Sequence, residues 1–583
     1  PSEEEEPPSK ASHDRYAEWD DPATIAAVAD ALGLAGEVIS LEGSGAVVDG
    51  NTITISSAGT YQLSGILDNG QVIVDTTDEE PVFLVLAGVD ITCSSSSPIY
   101  IRNADKVVIS LAEGTENQVS DGIRYVYDDA LAEEPNAAIF SNDDLTLTGT
   151  GSLVVNANFN HGILSQDNLK ITGGTITVNA VNDGLKGKNF VAIREGNITI
   201  TAGGDGIQSY DDEDAEKGYI SIEGGTLTIT AGLDGIQAET QLSISGGSLV
   251  ITSGGGSIVS SSLPGGDWGK WGQGLPSSSE TTDTPSAKGL KAGTDVTITG
   301  GSIQIDSSDD AIHSNNSLSI SAGDITILSG DDGIHADAVL TISGGTVQID
   351  QSYEGIESAV ITIAGGEVYV TASDDGLNAA GGVDGSAFGG RPGMGDFTDT
   401  SAYSLAISGG YIYVDAGGDG LDINGSITMT DGTLIVNGPT NDGNGAIDYL
   451  GSFTISGGFL VAVGSSGMAI GPGDTSTQYS LLHNFTSTLS AGTLVHIQSN
   501  TGETLLTFQP TKQFQSIVFS SPELQNGMTL SIYTGGSSNG AQADGVYSSG
   551  SYTPGSEAAS LTISAIVTSS GASGRGFAPG VRP

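Results

Sequence analysis

Eight acids recur at one place in this chain. Asp183, Asp205, Asp234, Asp310, Asp332, Glu354, Asp375 and Asp419 each stand directly before a small anchor residue: Gly184, Gly206, Gly235, Ala311, Gly333, Gly355, Gly376 or Gly420. Most neighbouring anchors are about 22 residues apart, with small slips and two long insertions. Acids placed at that period stack if the chain returns at that period. Stacked carboxylates repel, and one of them turns neutral unless a cation intervenes. Hard oxygen donors clustered in this way suit Ca2+. The first candidates are the coil turns at Asp183, Asp205 and Asp234. The acidic segment Asp211, Asp212, Asp214 comes next, followed by the turns Asp309, Asp310, Asp331 and Asp332. The competing role for each is a turn cap whose carboxylate accepts backbone N–H groups.

Two further side-chain sets stand out. His313 and His335 lie two residues past successive anchors, beside Asp310 and Asp332, a set able to hold a transition metal. Lys291, Glu357 and Asn378 take the same place in other repeats, and that variety favours a solvated column. Tyr369, Tyr411 and Tyr413 fall at outward positions, where flat faces with polar tips suit sugar rings. Burial under the C-terminal residues or a neighbouring subunit explains them equally well. Trp268 and Trp271, near the middle of an insertion, are the other candidate glycan contacts.

The elements that must position these residues follow from one repeat. Leu340 and Ile342 flank Thr341, and Val347 and Ile349 flank Gln348, the alternation of half-buried strands. Gly344-Gly345 between them suits a corner that needs positive φ or close backbone approach. A third extended piece carries Asp331-Asp332-Gly333-Ile334-His335. Three strands and three corners per repeat make one coil of a parallel β-helix, a solenoid in which Ile171, Ile193, Ile222, Ile244, Ile298, Ile320, Ile342, Ile363 and Ile407 form an interior column. A leucine-rich repeat is set aside because the apolar residues are Ile and Val, with Thr and Gly between them.

Residues 1–36 read as an acidic tail and a short capping helix. The helix starts at Asp21-Pro22, places Ile25, Val28, Ala29 and Leu32 on one face, and stops at Gly33. Residues 37–135 form irregular β-helix coils, and 136–472 form regular coils with insertions near 256–286 and 380–402. Residues 473–568 lose the period and read as a small antiparallel β-domain, and 569–583 form a Gly/Pro tail. The formal charge is −54, from 71 acids and 17 bases, which argues against nucleic acid and anionic membranes as partners. Cys93 is the single cysteine, so no intrachain disulfide framework exists. No run is long and apolar enough to span a bilayer. The acidic start reads as a mature chain whose export signal has been removed.

The stretches GTYQLSGILDNGQVIVD, AEGTEN, PNAAIFSNDDLTLTGTGSLVVNA and the repeated ITGGTITV…DGI resemble the bacterial carbohydrate-binding domain-containing protein family. LVHIQSNTGETLLTFQPTKQFQSIVFSSPEL also resembles that family's C-terminal part, so the likeness spans roughly 37–568. The resemblance implies an all-β, right-handed parallel β-helix similar to pectate lyases, Ca2+ as cofactor, export to the cell surface or medium, and binding of cellulose- or polygalacturonate-type polysaccharide. The two insertions depart from the family pattern, as does Gln166, where that pattern has lysine.

These readings converge on an exported, non-catalytic polysaccharide-binding protein that uses Ca2+. The alternative is a structural subunit that polymerises into a surface fibre through its N-terminal tail or solenoid ends. A polysaccharide lyase is the third reading. No Arg-x-Lys pair exists, but Lys186, Lys188 and Arg194 lie near Asp183 and Asp205 and could supply a base beside a bound cation.

Overall fold

The computed structural model describes residues 31–33, 40–42, 45–127, 129, 131, 133–257, 286–380 and 400–571. The chain is all-β. It divides into two compact units, one of residues 1–229 and 237–248, the other of residues 230–236 and 249–583.

In the first unit, strands come in threes. Ala137–Ser141, Asp144–Gly149 and Ser152–Ala157 make one set; His161–Ser165, Asn168–Ile171 and Thr175–Ala180 make the next. Each strand pairs in parallel with its counterpart one set later, so three parallel ladders run side by side. The alternation in sequence puts every second side chain inward. Leu147, Ile171, Ile193, Ile222 and Ile244 meet in register along one ladder, all fully buried.

The second unit repeats this arrangement. Ile298, Ile320, Ile342, Ile363, Ile407 and Met429 form one buried column in register. Ile312, Ile334, Ile356, Leu377 and Leu421 form another. Each such side chain contributes roughly 1.5–3 kcal/mol when buried, but only if a neighbouring coil covers it.

The anchor glycines serve close approach. The N–H of Gly333 donates to Glu354 O at 3.0 Å, and that of Gly355 to Asp375 O at 2.9 Å. A Cβ added to Gly355 would meet Val370 Cγ1 at 2.2 Å and Gly376 O at 2.3 Å. At the corners, only the second glycine of the pair needs a left-handed backbone: Gly345 has φ +82°, whereas Gly344 is pinned by Ser321 O, 2.3 Å from any added Cβ.

The predicted N-terminal helix is not what the described residues form there. Leu32 and Gly33 belong to strand Ala31–Gly33, which pairs antiparallel with Ser40–Glu42. Ser40–Glu42 in turn pairs antiparallel with Gly59–Leu67. A strand satisfies the N–H and C=O groups of a ladder edge, which a helix laid across it cannot do. Residues 21–30 of the predicted helix lie outside the described residues.

At the other end of the chain, Phe514–Ser520 pairs antiparallel with Phe459–Gly464 and with Ser480–Leu489, while Val567–Gly571 joins Ser480–Leu489 in parallel. A separate six-stranded sheet is built around Val495–Ser499, Thr504–Phe508, Thr529–Thr534 and Ser556–Thr562, all antiparallel. Phe508, Phe514, Phe519, Leu530 and Ile532 form its core together with Ile435 and Val461 of the preceding ladder.

Gly355→Ala is expected to cost about 1–3 kcal/mol, because backbone rather than a flexible side-chain tip blocks the added methyl. Urea denaturation measures this, and an unchanged midpoint would overturn the close-packing account.

Candidate functional site: the acid column and its third-residue slot

The residue before each anchor points its carboxylate along the stack. In the second unit, Asp332 N donates to Asp310 Oδ1 at 3.1 Å and Asp419 N donates to Asp375 Oδ1 at 2.6 Å. Lys288 N donates to Asp234 Oδ1 at 2.7 Å, and Gly445 N donates to Asp419. In the first unit, Asp205 N donates to Asp183 Oδ1 at 3.0 Å. In these five acids the carboxylate therefore caps the backbone of the next coil.

The second carboxylate oxygen meets the residue three positions on. Asp183 Oδ2 faces Lys186 Nζ at 2.8 Å, Asp205 Oδ2 accepts from Gln208 at 2.7 Å, and Asp310 Oδ2 faces His313 Nδ1 at 2.9 Å. This slot decides the charge balance of each coil. Burial pushes Asp183 up, but His161 and Lys186 outweigh it and hold the acid at about 2.

Asp183, Asp205 and Asp234 are thus each engaged by protein donors. Asp234 takes Lys291 Nζ at 3.2 Å as well as Ser286 Oγ at 2.7 Å. Asp211 is buried and caps its own loop, accepting from Glu213 N and Asp214 N, both at 3.1 Å. Asp212 and Asp214 are exposed, and Asp214 accepts from Glu216 N. Asp309, Asp310 and Asp331 do come together, with ligand oxygens within 4.8 Å of one another. A lysine already sits there: Lys288 Nζ lies 2.7 Å from Asp310 Oδ2 and 3.1 Å from Asp309 Oδ1. Sequence reasoning missed Lys288, although it stands directly before Gly289, the place that acids occupy in the other coils.

Another oxygen cluster lies later in the column. Asp375, Asp419 and Asp422 bring carboxylate oxygens within 4.8 Å. Burial, then Asp422, pushes Asp375 up to about 7. Burial pushes Asp419 up to about 8 against the Gly445 N–H, with Asp422 and Asp375 adding to it. Asn378, in register with Asp422, donates to Glu354 Oε2 at 2.6 Å, while its buried Oδ1 has no hydrogen-bond partner. An all-oxygen set of this kind fits a hard cation. The signal for Asp422 was the three-residue offset from Asp419, a place filled by Lys186, Gln208 or His313 in other coils and by a second acid, Glu357, after Glu354.

The histidines are not a solvated column, as the variety of their counterparts suggested. His313 and His335 are each 3% exposed. Their rings stack with centroids 4.9 Å apart. His335 Nδ1 lies 3.1 Å from Asp332 Oδ2 and 3.2 Å from Glu357 Oε2. Burial favours a neutral ring, but Asp332, Asp337 and Glu357 raise its proton affinity. Asp332 itself is raised by burial, with Asp310 and Glu354 adding to it. The slot is dry because Ile334, beside it in the same strand, anchors the segment to the interior ladder.

The tyrosines divide. Tyr411 donates its hydroxyl to Asp544 Oδ2 at 2.6 Å, and Tyr411 and Tyr413 pack against the C-terminal apolar cluster. Tyr369 is the less enclosed of the three, donating to Glu367 at 3.2 Å, with its ring 5.8 Å from that of Tyr411. Trp268 and Trp271 lie outside the described residues.

The matched family model is that of the carbohydrate-binding domain-containing proteins, over residues 49–333 and 331–376. The chain belongs to this family. A carbohydrate-binding domain-containing protein of Acetivibrio thermocellus is 47% identical over 136 residues, which are 23% of this chain and 48% of the relative. The chain thus spans about half the length of the curated relative it matches. A solved polysaccharide lyase-like protein from C. thermocellum, a gadolinium derivative, is 46% identical over 36% of this chain and 86% of its own, with a TM-score of 0.36.

The raised acids set a pH dependence. Asp375 and Asp419 keep their protons in the folded chain up to about 7 and about 8, whereas the unfolded chain releases them near 3.8. The folded state binds more protons in between, so stability falls as pH rises through that window. In chelator, Tm is expected to fall between pH 5 and pH 8, and Asp419→Asn should flatten the fall. A Tm that rises over this range would contradict the assignment.

Proposed function

We propose that this chain is an exported, non-catalytic polysaccharide-binding protein whose coils close into a right-handed parallel β-helix, and that Ca2+ held by its carboxylates stabilises it and bridges it to acidic glycan. One observation carries the binding reading. Within the family-matched stretch, the outward faces of neighbouring strands form a regular polar grid. Ser152, Val154 and Asn156 lie beside Thr175, Thr177 and Asn179, which lie beside Asn197, Thr199 and Thr201. All of these except Val154 are polar, and Asn179, Asn197, Thr199 and Thr201 are exposed. Hydroxyl and amide groups about 4.8 Å apart on a rigid sheet suit an extended sugar chain lying flat. In the other unit, the half-buried Tyr369 is a separate candidate for a stacking contact with a sugar ring. A polysaccharide of cellulose or polygalacturonate type lies outside the cell, so this reading carries export with it.

Asp375, Asp419 and Asp422 would hold Ca2+, with the Asn378 carbonyl oxygen beside them. Bound there, the ion supplies the positive charge that lets all three carboxylates ionise. The residues themselves fix the oxygens by backbone bonds from Asp419 and Gly445. Asp183 and Asp234 fit less well, because Lys186 and Lys291 already neutralise them.

Two observations favour binding over the other readings. Lys186, one of the three candidate bases of a lyase, is already engaged: its Nζ lies 2.8 Å from Asp183 Oδ2 and 4.9 Å from the Tyr210 ring centre. Two ladder edges, at Gly59–Leu67 and Phe459–Gly464, are already paired by antiparallel strands, so those edges are closed to end-to-end stacking.

The test is co-sedimentation of the purified chain with insoluble cellulose and with polygalacturonate, in Ca2+ and in chelator. Retention on polygalacturonate in Ca2+ and its loss in chelator are expected, with no unsaturated product released. Retention unchanged by chelator would remove the bridging role, and no retention on either polymer would remove the binding reading.

A further inference from the structure

The strongest unassigned feature is the histidine pair, and it is independent of the polysaccharide reading. The two outer ring nitrogens face acceptors: His313 Nε2 lies 2.8 Å from Asn315 Oδ1, and His335 Nε2 lies 3.2 Å from Asp337 Oδ1. The inner nitrogens face carboxylates: His313 Nδ1 lies 2.9 Å from Asp310 Oδ2, His335 Nδ1 lies between Asp332 and Glu357, and the two rings stack with centroids 4.9 Å apart. Each ring is thus held from both sides with one nitrogen turned toward a group of carboxylate oxygens.

The spacing suits a metal. Donor atoms about 2.0–2.2 Å from a tetrahedral ion stand about 3.3–3.6 Å apart. His335 Nδ1 is 3.1 Å from Asp332 Oδ2 and 3.2 Å from Glu357 Oε2, close to two such edges. The ligand atoms of Asp332, His335 and Glu357 all lie within 4.8 Å, as do those of Asp310, His313 and His335. Asp310 is already paired with Lys288, so the donor set left for an ion is the one formed by Asp332, His335 and Glu357. The acceptors behind the rings are the outer partners that orient metal-ligating histidines. Glu357 and Asp337 retain 13% and 25% side-chain exposure, giving the ion a way in.

We propose that Asp332, His335 and Glu357 form a binding site for a first-row transition ion of the Zn2+ or Co2+ class, with His313 beside it as an adjoining donor. Imidazole nitrogen sets the site apart from the all-oxygen cluster at Asp375, Asp419 and Asp422, since Ca2+ takes oxygen donors almost exclusively. Asp337 is a positioning residue, acting through His335.

The experiment uses the full chain, stripped with chelator and kept in excess Ca2+. CoCl2 is titrated while visible absorption is followed, and bound zinc is counted by elemental analysis after dialysis against ZnCl2. One ion per chain and a visible cobalt band are expected, with Ca2+ failing to displace either. His335→Ala and Glu357→Gln should abolish the band, and Asp337→Asn should weaken affinity about 10–100-fold without removing it. His496→Ala, on the C-terminal sheet, should leave the band unchanged. Glu357→Gln keeps the test sharp if His335→Ala fails to fold, which circular dichroism reports. A folded parent with no cobalt band and background zinc overturns the site, as does a band that survives Glu357→Gln. A failed glycan co-sedimentation leaves this result untouched.

Discussion

The close approach of one coil's backbone to the next, at the anchor glycines, is the constraint on which the rest depends. Gly355 leaves no room for a methyl because Gly376 O and Val370 press against it. That contact holds the anchor N–H on the next coil's carbonyl and fixes the residue before it close to the same residue one coil away. The side chain there has the next coil's backbone N–H within reach, as at Asp183, Asp310 and Asp375. An aspartate is the shortest side chain able to accept from it and still offer a second oxygen. The backbone geometry thus selects the acid, and the acids then stack whether or not their charges agree.

This accumulates charge that the chain must offset coil by coil. The third residue after each acid does most of it, and its identity changes where the problem changes. Lys186 neutralises Asp183, Gln208 only hydrogen-bonds Asp205, and Asn378, the third residue after Asp375, reaches back to give Glu354 an amide. Lys288 takes the acid's own place and reaches forward to Asp310. Where the slot holds Glu357 or Asp422 instead, the slot residue adds negative charge, and Glu354, Asp375 and Asp419 are pushed toward the protonated form by burial and by these acids. Those coils are the ones where an outside cation gains most. A pattern that looks like simple repetition is therefore a scaffold with one variable position.

Much of this was legible in the sequence, for definite reasons. The isoleucine columns were readable because strand alternation and the repeat length are local properties, and the pairing Ile298–Ile320–Ile342 follows from them without further information. The acid column was readable for the same reason. Lys288 was not, because an insertion interrupts the period just before it. The histidines were placed correctly in the stack but given to solvent, since variety at a position says nothing about its burial. Tyr411 and Tyr413 were ambiguous because what covers them arrives from far away in sequence: Asp544, which fixes Tyr411, is 133 residues on. The expected capping helix had good local signals at Asp21-Pro22, yet Ala31–Gly33 is drawn into strand pairing by an edge whose needs no local signal records.

The two proposed cation sites differ in a way that follows from the same slot. At Asp419 the slot residue is a third carboxylate, so the donors are all hard oxygens, held apart by mutual repulsion and loosely enough for a large ion. At Asp332 the slot residue is an imidazole whose ring is clamped by a stacked neighbour and by Asp337 behind it. That clamp fixes the direction of one lone pair, which a Ca2+ site does not need and a tetrahedral ion does. Exchanging the slot residue alone, His335 for an aspartate, would convert the second kind of donor set into the first while leaving the backbone ladder intact. The choice between a hard and a borderline ion is then a property of one side chain per coil. The stack itself is indifferent to it, because the backbone bonds at Gly333 and Gly355 are made by the anchors and not by the slot.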